Sequence, residues 1–184
     1  MAKQVVQLTI TEALAEIKTT QKRIESKREN MLRYLARESR VKDPMEQEGG
    51  STTFIKQERQ AVADLEQRIV NIRTAIQEVN LKTELNLCGV ARTLSEWLTW
   101  RREVAQGQKA FIAKMIGGVN QIRTQVMKEG RKFTDKESES SAPTDVIVHV
   151  NEKQLLDESE RLEQTLGELD GKLSLLNATT TIKL

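Results

Sequence analysis

Residues 65–80 read LEQRIVNIRTAIQEVN, and residues 162–177 read LEQTLGELDGKLSLLN. Both open on Leu-Glu-Gln, at Leu65-Glu66-Gln67 and Leu162-Glu163-Gln164, an offset of 97 residues. Their apolar positions then run in step: Ile69 with Leu166, Ile72 with Leu169, Ile76 with Leu173, and Val79 with Leu176. A second match precedes each stretch. Thr9-Ile10-Thr11-Glu12-Ala13-Leu14 pairs with Thr93-Leu94-Ser95-Glu96-Trp97-Leu98 at an offset of 84, so the second copy holds extra chain between its two helices. An internal repeat constrains architecture before any local reading does. Here it gives a duplication over about 9–85 and 93–182.

The local signals fill in four helices. Thr9 with Glu12, and Thr93 with Glu96, are capping boxes, in which hydroxyl and carboxylate each satisfy a free backbone N–H at a helix start. The first helix is expected to run to about Arg37, on a seam of Ile10, Leu14, Ile17, Ile24, Met31 and Leu35 interrupted by Gln21 and Arg28. Asp43-Pro44 and Gly49-Gly50-Ser51 mark a loop over 38–53. The second helix spans about Thr53–Asn80, with a seam from Val62 to Val79. Its spacing near 3.5 predicts coiled-coil-like, nearly antiparallel packing. Asn80 and Asn177 are read as helix ends, and 81–92 as a connector. The third helix is expected over Leu94–Ile116, stopped by Gly117-Gly118. Gln121–Glu129 and Val146-Ile147-Val148-His149-Val150 are β-prone, which predicts a β-hairpin insertion over about 119–150 with its tip in Gly130–Thr144. Asn151 caps the fourth helix, and the β-prone ends, Gln4–Thr9 and Thr179–Leu184, are free to pair. The fold expected is mainly α: a single domain, 1–184, of two antiparallel long-helix hairpins in a four-helix arrangement, related by a pseudo-twofold axis, with a small sheet.

Composition narrows the function classes. Apolar residues are 38% and aromatics 3%, so the core is built from Leu, Ile, Val and Ala. A net charge of +2 with interleaved signs argues against duplex nucleic acid as a partner. The lone Cys88 rules out an intrachain disulfide framework and a Cys-based zinc site. No apolar run approaches the roughly 20 residues of a membrane span, and Met1–Ile10 lacks a signal peptide's apolar stretch. The expectation is a cytoplasmic protein without a membrane partner. Long seams with few aromatics point to a core finished by other subunits, hence a homo-oligomer.

The chain resembles the septicolysin-like proteins of bacteria and phages along nearly its whole length. Their Thr-x-x-Glu-Ala-Leu start and Gln-x-Arg-Ile stretch are similar to Thr9–Leu14 and Gln21–Ile24. Their second start is matched by Leu94, Ser95, Glu96, Leu98, Arg101 and Arg102, and their closing block by Val146–Val150, Leu169-Asp170 and Asn177–Thr180. The chain departs from the pattern at Glu103, where the family has Asp, and in a less acidic first loop. The resemblance implies an oligomeric helical fold and assigns no catalytic residues.

Trp97, Trp100, Arg101 and Arg102, with Lys109 about two turns on, form the candidate ligand site. Residues three or four apart share a helix face, indoles stack on planar rings, and arginine forks grip anions. The competing reading seats Trp97 in the core and pairs the arginines with Glu96, Glu103 or a neighbouring helix. His149 has no companions at metal-ligand spacing, the glycines match no phosphate-binding fingerprint, and nothing assembles a nucleophile, base and oxyanion donor. No cofactor, metal or catalytic residue is therefore expected. The sequence points to a non-catalytic homo-oligomeric binding protein. A phage protein sequestering a small anionic, nucleotide-like signal at subunit interfaces fits this description. The alternative is a structural component of a phage particle or its assembly, and a membrane-active lysin is the weaker one.

Overall fold

The computed structural model describes residues 6–134 and 145–184. The protein is mainly helical, with short paired strands. Its elements are β1 (Gln7–Thr9), α1 (Ile10–Leu32), a 3₁₀ turn (Glu46–Glu48), α2 (Ser51–Lys82), β2 (Glu84–Leu87), β3 (Val90–Thr93), α3 (Leu94–Trp100), a π turn (Arg101–Ala105), α4 (Gln106–Lys128), β4 (Phe133–Thr134), β5 (Val146–Ile147), α5 (Glu152–Thr179) and β6 (Thr181–Lys183). The chain packs as two compact units, one of residues up to Asn80 with Leu173–Leu184, the other of Leu81–Lys172.

In the first unit the capping box at Thr9 starts α1. Glu12 N–H donates to Thr9 Oγ1 at 3.2 Å and Thr9 N–H donates to Glu12 Oε2 at 2.8 Å. Ile10, Ala13 and Ile17 then bury against Ile72 of α2 and Ile182 of β6. Arg68–Glu16, Arg28–Glu66 and Lys27–Glu58 ion pairs link α2 to α1 with the two helices antiparallel. β1 and β6 pair antiparallel, with Thr9 opposite Thr181. In the loop, the Asp43 carboxylate accepts from Ser51 Oγ and from the Ser51 and Met45 backbone N–H groups, which holds its pKa below the ordinary range.

The second unit repeats this plan. β2 and β3 pair antiparallel with Glu84 opposite Thr93, the same register as Thr181 opposite Thr9 once the offsets of 97 and 84 are applied. The hydrogen bond from Leu94 N–H to Thr83 O matches that from Ile10 N–H to Thr180 O. The Thr93–Glu96 capping box starts α3. Arg101–Asp170, Lys109–Glu163 and Arg123–Glu152 ion pairs set α3 and α4 antiparallel to α5. The glutamates of both Leu-Glu-Gln motifs, Glu66 and Glu163, each hold a cation of the preceding helix.

Several boundaries differ from the sequence reading, each for a physical reason. α1 ends at Leu32, and Arg37 instead donates to the Glu38 and Val41 carbonyls. α2 begins at Ser51, two residues early, and runs through Asn80 to Lys82, and α5 runs through Asn177 to Thr179, so neither asparagine is the end of its helix. The connector 81–92 is a hairpin. Its two-residue turn, Cys88-Gly89, has φ of 48° and 82°, the two positive values that match the twist of paired strands.

The β-hairpin insertion expected over 119–150 is not what forms. The helix passes through Gly117 and Gly118 to Lys128, because Val119 and Val126, one heptad apart, are both buried and outweigh the glycine cost. It stops at Gly130, where φ is +67° and the N–H groups of Gly130 and Arg131 donate to Met127 O and Val126 O in a Schellman motif. Phe133–Thr134 and Val146–Ile147 form a two-residue parallel pair rather than an antiparallel hairpin. Most of the expected tip, 135–144, lies outside the described residues.

Buried Ile10 and Ala13 match buried Leu94 and Trp97 at an offset of 84, and past the π turn Thr20 matches buried Ala105 at an offset of 85, whereas buried Ile24 meets exposed Lys109. A π turn absorbs one extra residue without moving its flanks. The buried seat of Ile17 has no counterpart in the second copy, where Arg101 and Arg102 both face outward.

Candidate ligand-binding cleft

The second unit contains a cleft of about 440 Å³ between the β2–β3 turn, the α3–α4 helix and α5. Trp97 forms part of its wall. The indole is buried, and its Nε1–H donates to Leu85 O at 3.2 Å. Trp100, half-buried, meets Trp97 edge to face, with centroids 5.4 Å apart and planes at 84°. Its Nε1–H donates to Gln108 Oε1 at 3.1 Å, across the π turn. Phe111 and Ile112 extend the apolar side.

Two cations reach the cleft from other elements. Arg92 on β3 lays its guanidinium over the Trp97 ring at 4.9 Å. Arg161 on α5 donates from Nη2 to Cys88 O at 3.3 Å, fastening the hairpin turn to the helix. Glu158, one helical turn before Arg161, is the acid in the lining, and Thr165 closes the α5 side. A shallower depression adjoins, lined by Cys88, Asp157, Glu160, Arg161 and Gln164, so Arg161 stands between the two.

Of the five residues proposed from sequence, Trp97 and Trp100 meet here and the three cations do not. Arg101 is held by Asp170 at 2.8 Å, Arg102 by its neighbour Glu103 at 2.5 Å, and Lys109 by Glu163. The π turn leaves both arginines outside the cleft lining. Arg92, Gln108 and Arg161 take part instead. They come from a strand, from beyond the π turn and from a distant helix, so no local spacing signals them.

The other singled-out groups are ordinary. His149 is exposed, Cys88 is a turn residue, and among the described residues no three of His, Cys, Asp and Glu gather as metal ligands. Among the same residues no helix is long and apolar enough to cross a membrane. Compared with protein-family models, with curated proteins and with solved structures, the chain finds no significant match.

Proposed function

We propose that this chain is a non-catalytic binding protein whose second unit holds a planar heteroaromatic anion, nucleotide-like in chemistry. The observation that carries this reading is the meeting of an edge-to-face indole pair with two guanidinium groups, Arg92 and Arg161, in one cleft. A ring stacking on an aromatic side chain contributes about 1–3 kcal/mol, and a charge-assisted hydrogen bond about 1.5–3 kcal/mol. Both contributions act on the same bound anion and offset part of the cost of immobilising it. The lining offers Cys88 and Glu158 but no base beside a nucleophile, which favours holding a ligand over transforming it. Sequestration of a small signal in a host cytoplasm by a phage-encoded protein is the biological role this chemistry fits. All the lining residues belong to the second unit. A titration with AMP followed by tryptophan fluorescence tests the reading. Saturable quenching is expected, weakened roughly tenfold or more by Trp100→Ala or Arg161→Ala. No saturable change at millimolar AMP overturns it.

A further inference from the structure

The two copies differ at the place where the cleft opens. In the first copy, Glu16 on α1 and Arg68 on α2 join through two contacts, at 2.8 and 3.4 Å. At offsets of 84 and 97 their equivalents are Trp100 and Thr165, and both line the cleft. The remaining walls diverge in the same direction. Fully buried Ala13 is matched by Trp97, core-packed Leu8 by Arg92, and Asp64 by Arg161. Exchanging a paired arginine for the short Thr165 removes the bridge that closes the first copy, and the indoles line the gap.

The polar groups left over describe the guest. Both indole N–H groups are taken, by Leu85 O and Gln108 Oε1. The second bond fixes the Gln108 amide so that its NH₂ end is left to donate. Arg92 and Arg161 add guanidinium donors, and Glu158 brings the one carboxyl group of the lining. Three donor groups against one carboxylate, and two cations against one anion, select an acceptor-rich ring bearing negative charge.

Resting on the binding reading above, we propose that the cleft belongs to the second copy alone, takes one heteroaromatic anion per chain, and uses Gln108 to read an acceptor on the ring while Arg92 and Arg161 hold the anionic group. Isothermal titration calorimetry of the full chain with AMP tests this. The expected result is one AMP per chain, with Gln108→Leu weakening binding about fivefold to tenfold. The double variant Trp100→Glu/Thr165→Arg installs the closing ion pair of the first copy and is expected to abolish measurable binding with its helical circular dichroism intact. Two AMP per chain, or unchanged affinity in a folded double variant, overturns the single-site inference and leaves the binding reading standing. No heat with AMP in the wild type overturns both. If the double variant does not fold, the wild-type stoichiometry and Gln108→Leu decide.

Discussion

Trp97 and Trp100 stand three residues apart in sequence and serve different ends. Trp97 is 3% exposed and fills the position that Ala13 holds in the first copy. Trp97→Ala is therefore expected to cost about 3–5 kcal/mol, read as a large drop in Tm by calorimetry. Trp100, half-buried and facing the cleft, is expected to cost only about 1 kcal/mol when truncated, while the proposed AMP binding is expected to weaken roughly tenfold or more. The capping boxes are a second residue-scale test. Glu96 is held below the ordinary glutamate range, chiefly because its carboxylate accepts from Thr93 N–H and also from Thr93 Oγ1. A depressed folded pKa contributes stability that is fully present above the unfolded value, about 4.3, and lost as pH falls through the lower folded one. Thr93→Ala is expected to cost about 1 kcal/mol at neutral pH, and less in denaturant melts run below pH 4. A cost that does not diminish with acid would show that the carboxylate takes no part. Legibility at this scale follows range: the two indoles meet because i and i+3 share a helix face, while Arg101, Arg102 and Lys109 are claimed by acids that sequence spacing does not reveal.

Among the elements, the helices were readable wherever apolar residues recur at three-four spacing, as along α2 and α5. The failures came where a local preference met a longer-range one. Gln121–Glu129 carries Val, Ile and Thr yet is helical, because Val126 continues the buried stripe begun by Val119. Gly117-Gly118 resembles a stop, and lies where the first copy's helix ends at Leu32, but the extra chain of the second copy extends the helix instead. The β2–β3 hairpin was legible in principle, since Cys88-Gly89 separates the alternating Leu85 and Leu87 from Val90–Thr93. These glycines give opposed expectations. Gly117 and Gly118 have ordinary helical backbone and open space where a Cβ would stand. Alanine at either is expected to raise stability by about 0.4–1 kcal/mol. Gly130 ends α4 at φ +67°, so Gly130→Ala is expected to lower stability by about 1–2 kcal/mol. Thermal melts of the three variants check both signs. A stabilising Gly130→Ala would contradict the Schellman end.

At the scale of the whole molecule, the local features shared by the two units are the capping boxes and the strand pairs adjoining them. Two sequence offsets, read from motifs alone, reproduce the strand registers and the capping boxes of both copies. They do not extend to the cleft lining, where Trp97, Trp100, Arg161 and Thr165 stand at the positions of Ala13, Glu16, Asp64 and Arg68. Large apolar side chains also stand in water, among them Leu32 at 65%, Phe111 at 63% and Met127 at 69% exposure. Such residues, singly exposed, are ordinary; the homo-oligomer expected from the long seams is tested by sedimentation velocity at micromolar protein, where a single species larger than the 20.9 kDa chain is expected and a monomer across that range would refute it. The central claim, a ring-stacking anion site on Trp100, is tested most directly by ¹H–¹⁵N NMR, in which the two tryptophans give two indole signals. On titration with AMP, the account predicts that the Trp100 signal shifts progressively and saturates at one equivalent, with a smaller shift at Trp97. Two indole signals unmoved at millimolar AMP would contradict it.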